Sequence, residues 1–144
     1  GDVTGVDLAE NMVQIAHEKG LYDTLYVADA IDYLEDNDEE AYDLIAATDV
    51  LPYLGSLERF FAGCAGNAKP RSLLAFSSET LPADVMGERG FMVGGYQRFG
   101  HAKDYVEKSA AAFGYTMIEI SDILVRYEQG APISGHLFIA RYEG

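Results

Sequence analysis

Apolar positions along this chain follow two rhythms. Val3 to Asp7, Leu25 to Ala28, Tyr42 to Ala47 and the Leu73-Leu74-Ala75-Phe76 core of Arg71 to Ser78 are short apolar or β-branched runs, as expected of strands buried in a parallel sheet. Between them, Leu8, Met12, Ile15 and Ala16 recur at helical spacing up to Lys19-Gly20, Ile31 to Leu34 predicts a short turn of helix, and Leu57, Phe60, Phe61 and Cys64 mark an apolar helix face behind Ser56 as N-cap. Ala102 to Phe113 resumes the helical spacing through Tyr105, Ser109, Ala112 and Phe113. Gly20 and Gly114 stand where a left-handed residue stops a helix. Tyr115 to Tyr127 and His136 to Tyr142 read as two strands joined by the turn-rich Glu128-Gln129-Gly130-Ala131-Pro132, which suits an antiparallel pair. Glu35 to Glu40 is a solvated charge run. Thr80 to Gly100, rich in glycine and without a clear period, is expected to be a loop with little regular structure, of the kind that serves as a lid or binding segment.

The alternation of strand and helix, closed by a hairpin, predicts a doubly wound α/β sheet with an antiparallel edge. Its 144 residues, 49% of them hydrophobic, suffice for one compact domain, taken here as 1–144, with a sizeable core. The net charge of −14 argues against phosphate backbones and anionic membranes, so no nucleic acid and no membrane are expected as partners. The longest apolar stretches are far short of a membrane span, and no leader is expected ahead of the first strand; a cytoplasmic setting follows. A single cysteine, Cys64, is read as a small core residue, and His17, His101 and His136 give no metal-ligand spacing, so no metal is expected.

In an open α/β sheet, ligands sit beyond the carboxyl ends of the strands. Asp7 and Asp29 fall there. Each has a plain alternative, Asp7 as a helix-start carboxylate and Asp29 as a turn residue. Thr48 and Asp49 follow the third strand, and Asp49 has an alternative as the cap of the short helix ending near Leu54. Tyr96, Arg98 and His101 precede the last helix; Arg98 offers a partner for a carboxylate and His101 a base, or both pin the helix start.

The stretches Val3-Thr4-Gly5-Val6-Asp7-Leu8, Leu25-Tyr26-Val27-Ala28-Asp29-Ala30 and Tyr42-Asp43-Leu44-Ile45-Ala46-Ala47-Thr48-Asp49-Val50-Leu51 resemble the second, third and fourth strands of class I S-adenosylmethionine-dependent methyltransferases. The late segment, Gly94 to His101 followed by Ala111-Ala112-Phe113-Gly114-Tyr115, is similar to that of small-molecule methyltransferases, including bacterial ones found behind tetratricopeptide repeats. The resemblance implies a Rossmann-like sheet of order 3-2-1-4-5-7-6. It assigns Asp7 to the ribose hydroxyls, Asp29 to the adenine amino group, the Ala30 amide to a ring nitrogen, Leu8 and Met12 to the adenine faces, and Thr48 and Asp49 to the cofactor pocket where it faces the substrate. The cofactor implied is S-adenosylmethionine, with S-adenosylhomocysteine as product and a small molecule as methyl acceptor. Tyr96, Arg98 and His101 are the residues expected to meet that acceptor.

Two departures stand out. Lys69-Pro70-Arg71-Ser72 replaces the usual Lys-Pro-Gly-Gly turn. The sequence contains no Gly-x-Gly loop, and the resemblance starts at the family's second strand, so the expected fold is a truncated one with its first strand and first helix missing. The strand edges exposed by that gap predict a homo-oligomer. Two other classes compete: a non-catalytic methyltransferase-like oligomerisation module, which binds no nucleotide, and a nicotinamide-dinucleotide-binding domain, whose Gly-x-Gly signature and Tyr-x-x-x-Lys pair are absent.

Overall fold

The computed structural model describes residues 3–7, 10–22, 24–27, 29–37 and 41–144, and divides the chain into two compact units, residues 1–39 and 40–144. In the first unit, β1 (Thr4–Asp7) pairs in parallel with β2 (Thr24–Val27), register Asp7 to Val27, through the crossover helix α1 (Glu10–Lys19); α2 (Ala30–Asp36) follows β2. Gly20, with φ of 67°, ends α1 as the sequence requires.

The second unit is built on a four-stranded sheet of order β3-β4-β8-β7, from β3 (Tyr42–Ala47), β4 (Ala68–Glu79), β7 (Tyr115–Glu128) and β8 (Ala131–Tyr142). β3 and β4 run parallel, joined by α3 (Glu58–Gly66); β8 lies antiparallel to both β4 and β7. This mixed α/β sheet is the fold class expected, and its order matches the 4-5-7-6 half of the methyltransferase sheet. Gln129 and Gly130, both at positive φ (51° and 80°), make the two-residue turn between β7 and β8, whose twist suits a tight hairpin. The core lies where alternate β4 residues meet α3: Leu74 and Phe76 are fully buried, Phe76 stacks on Phe138 of β8 (4.9 Å between centroids), and its other contacts are edge-on to Phe60 and Phe61. Cys64 belongs to this core, and burial pushes its thiol up to about 12, so it stays an inert thiol.

Three expectations are corrected. The helix after Ser56 has Leu57, not Ser56, as its N-cap, although the Ser56 hydroxyl accepts from the Glu58 amide at 3.4 Å. Lys69 to Ser72 is not a free turn but part of β4, where Arg71 takes the positive φ of 66° that glycine would adopt without strain. Finally, Thr80 to Gly100 is ordered: α4 (Ala83–Met86), β5 (Phe91–Val93), a 3-10 turn (Gly95–Gln97) and β6 (Phe99–His101), with β5 and β6 an antiparallel pair leading into α5 (Lys103–Ala112). Several of its glycines serve close approach: a Cβ on Gly90 would lie 2.6 Å from the Tyr105 ring, and on Gly100 2.7 Å from Leu81. Leu81 and Tyr105 occupy the space that larger residues would need.

Candidate functional site

In the first unit, the register of β1 and β2 brings Asp7 level with Val27, two residues ahead of Asp29, so both acids stand at one carboxyl edge. Asp29 is the N-cap of α2: its Oδ1 accepts from the amides of Ile31 (2.9 Å) and Asp32 (3.1 Å), which orients the carboxylate at the helix start. Ala30 begins the helix and is half-buried, while Met12 is half exposed on α1. Leu8 lies outside the described residues, as do the side chains of Asp7 and Tyr96.

In the second unit, the carboxyl ends of β3 and β4 carry a connected set of charges. Thr48 is exposed, and Asp49 follows it at a φ of 58°, a conformation that Asp and Asn tolerate better than other side chains. Asp49 does not cap the next turn, whose N-cap is Val50 without a side-chain bond; its carboxylate instead accepts from Arg98. Arg98 lies just past the 3-10 turn. Its Nε donates to Glu79 Oε2 at 2.9 Å, its Nη2 to both Glu79 and Asp49, and its Nη1 to the Tyr53 hydroxyl at 3.1 Å, with the guanidinium 5.2 Å from the Tyr53 ring centroid. Glu79, the last residue of β4 and 4% exposed, also accepts from Arg126 Nη2 at 3.0 Å, and Arg126 Nη1 donates to Glu128 at 2.8 Å.

A bulge makes this possible. Leu124 pairs with Ser134 but Arg126 pairs with Ile133, so Val125 is the extra residue that turns Arg126 onto the face of Gly135 and, through the Gly135 to Glu79 pair, onto the face of Glu79. Without it, strand alternation would send Arg126 to the opposite face. Burial by itself would raise the Glu79 carboxyl; the hydrogen bonds and charges of Arg98 and Arg126 outweigh it and hold the group below its ordinary value. Arg98 is correspondingly held more firmly protonated, above all by its hydrogen bonds to Glu79.

His101 is completely buried, with Nε2 3.0 Å from the Gly55 carbonyl, which fixes the proton on Nε2. Its ring stacks on Tyr105 (6.4 Å between centroids, 13° between planes) and lies against Phe91 and Phe99, while the Tyr105 hydroxyl accepts from the Leu57 amide at 3.2 Å. These contacts tie the β5–β6 pair and α5 to the 54–57 turn. Burial drives the imidazole pKa below its ordinary 6.5 despite the backbone carbonyls of Gly55 and Leu54. An imidazole kept neutral in the fold takes up its proton more readily when unfolded, so its contribution is complete above about pH 6.5 and falls away below it. A His101→Gln variant, which keeps a donor for Gly55 but cannot titrate, should show a shallower loss of stability than the wild type in chemical denaturation between pH 6.5 and 5.

The structure thus gathers Asp49 and Arg98 into one network and leaves His101 in an enclosed aromatic box. The carboxylates that Arg98 pairs with belong to the chain itself. Glu79, Tyr53, Arg126 and Glu128 enter the site without having been singled out in the sequence; Glu79, an acid closing a buried parallel strand, carried the one available signal. A separate depression of about 430 Å³ lies beyond β4 among Thr80, Asp122, Leu124, Ser134 and His136, with His136 Nε2 3.2 Å from Asp122.

A family model described as "Methyltransferase domain" matches residues 1–76. Among solved structures, a SAM-dependent methyltransferase from Methanosarcina mazei is 13% identical with a TM-score of 0.72, covering 99% of this chain and 82% of that one. The N-methyltransferase NodS from Bradyrhizobium japonicum, in complex with S-adenosyl-L-homocysteine, is 17% identical with a TM-score of 0.69, covering 99% of this chain and 67% of that one. The [4+2]-cyclase SpnF is 15% identical with a TM-score of 0.74, again covering 99% and 67%. At these identities the likeness is one of fold. No curated protein matches the chain.

Proposed function

The chain belongs to the class I S-adenosylmethionine-dependent methyltransferase family, and from that premise we propose that residues 1–144 serve as one methyltransferase-like domain acting on a small molecule by direct methyl transfer. The observation that carries this reading is the pairing of Asp7 and Asp29 at one carboxyl edge of a parallel strand pair. That arrangement fits an adenosine. Asp7 accepts from the ribose hydroxyls, and Asp29, with Oδ1 held by two helix amides, keeps Oδ2 for the adenine amino group. The Ala30 amide meets a ring nitrogen, and Leu8 and Met12 cover the ring.

When bound, S-adenosylmethionine supplies a methyl group already activated by its sulfonium. The work of the protein is then to align the acceptor and keep water away, without an obligatory acid or base. Thr48 and Asp49 are the polar groups for the reacting half of the cofactor and the acceptor, and Tyr96 is retained as an acceptor contact. Arg98 and His101 act as positioning residues: Arg98 holds Asp49 and Glu79, and His101 holds the 54–57 turn. Among the described residues no helix is long and apolar enough to cross a membrane, and a cytoplasmic setting goes with this reading.

Hydrogen–deuterium exchange with and without S-adenosylhomocysteine tests the proposal. Slowed exchange in peptides covering 3–13, 24–33 and 47–54 is the expected result; unchanged exchange across all three at millimolar ligand contradicts it.

A further inference from the structure

The charges at the carboxyl ends of β3 and β4 restrict which acceptor the site can take, an inference that rests on the methyltransferase reading above. Three carboxylates (Asp49, Glu79 and Glu128) face two guanidinium groups, a formal charge of −1. Both arginines are engaged internally. Arg98 is bonded through Nε, Nη1 and Nη2, and its side chain is only 14% exposed. Arg126 donates from its Nη atoms to Glu79 and Glu128, and its Nε, which has no partner among the described residues, is buried away from solvent. An anionic acceptor would therefore meet guanidinium groups already neutralised by internal carboxylates, in a cluster of net negative charge.

What the cluster offers to solvent is of the opposite kind. The Asp49 side chain is 61% exposed, with Oδ1 bonded to Arg98 and Oδ2 left for another partner. Tyr53 is 62% exposed, and Arg98 occupies only one face of its ring. An exposed carboxylate beside an exposed aromatic ring is a recognition pair for a cation. We propose that the methyl acceptor is an aminated small molecule, bound as its ammonium form by Asp49 and Tyr53 and methylated by this site, in preference to carboxylate or phosphate acceptors. The ammonium is a binding group; a separate, unprotonated nucleophile of the acceptor takes the methyl, its new bond to carbon forming as the sulfonium S–CH3 bond breaks, S-adenosylhomocysteine leaving and any proton on that nucleophile passing to solvent.

The test uses three probes of one skeleton, 2-phenylethylamine, 2-phenylethanol and 3-phenylpropanoate, titrated by ligand-observed NMR into the full chain saturated with S-adenosylhomocysteine. The amine should bind about tenfold tighter than the carboxylate, as expected for one partly screened charge contact with an aromatic face. Asp49→Asn, which tolerates the same positive φ, should erase that preference. Equal binding of amine and carboxylate, a preference for the carboxylate, binding of neither, or a preference unchanged in Asp49→Asn each overturns the proposal. Failure of S-adenosylhomocysteine to saturate the chain would overturn the methyltransferase reading instead, so the two are distinguished.

Discussion

Replacing Glu79 with alanine is expected to lower stability by about 3 kcal/mol at neutral pH, because it leaves two guanidinium groups gathered around an empty position. Glu79 is 4% exposed and accepts from both Arg98 and Arg126, and the carboxylates that remain to them, Asp49 and Glu128, are more exposed and each serves only one of the two arginines. The pH dependence follows from the direction of its shift. Held below its ordinary 4.5 in the fold, the carboxylate contributes fully above about pH 4.5 and loses that contribution as the pH falls through its folded value. Wild type and Glu79→Ala should therefore differ most at pH 7 and converge towards pH 3 in denaturant titrations. A constant difference across that range would mean that Glu79 stabilises by packing and not by charge.

Asp7→Ala should weaken S-adenosylhomocysteine binding about 100-fold. A carboxylate that accepts from two ribose hydroxyls makes two charge-assisted hydrogen bonds, and losing both is worth about 3 kcal/mol. Asp7 ends β1, so the substitution removes the carboxylate without touching the helix cap that Asp29 provides. Asp29→Ala would confound binding with the loss of that cap, which makes Asp7 the cleaner probe. Calorimetric titration of the two proteins at equal concentration measures the ratio. An affinity unchanged by Asp7→Ala would remove the ribose contact from the account.

The sheet was legible because its strands are apolar runs flanked by glycine stops and turns. Tyr42 to Ala47 is both expected and observed, Gly20 and Gly114 stop their helices at positive φ, and the β7–β8 hairpin turns at Gln129-Gly130, inside the expected connection. The segment 80–100 was not legible, since glycine in a sequence reads as freedom. In the fold it marks places where Leu81 and the Tyr105 ring press against backbone. Ordered structure there rests on long-range packing that no local pattern encodes.

The site was legible in part for a similar reason. Asp7, Asp29 and Asp49 stand next to strand ends, a position that can be read locally. The Arg98 network joins residues 19, 45 and 49 apart, and its Arg126 arm depends on a bulge at Val125 that shifts one residue across the sheet. Strand alternation alone would place Arg126 on the wrong face. His101 illustrates the same limit: its sequence neighbours suggest a helix start, whereas its burial is set by Phe91, Phe99 and Tyr105 closing around it.

The most direct test of the account is a calorimetric titration of the wild-type chain with S-adenosylhomocysteine, alongside oxidised nicotinamide dinucleotide, on a sample whose folding is verified by circular dichroism. The account predicts saturable binding of S-adenosylhomocysteine in the micromolar range and none of the dinucleotide. No heat with S-adenosylhomocysteine from a folded sample, or tighter binding of the dinucleotide, would contradict it.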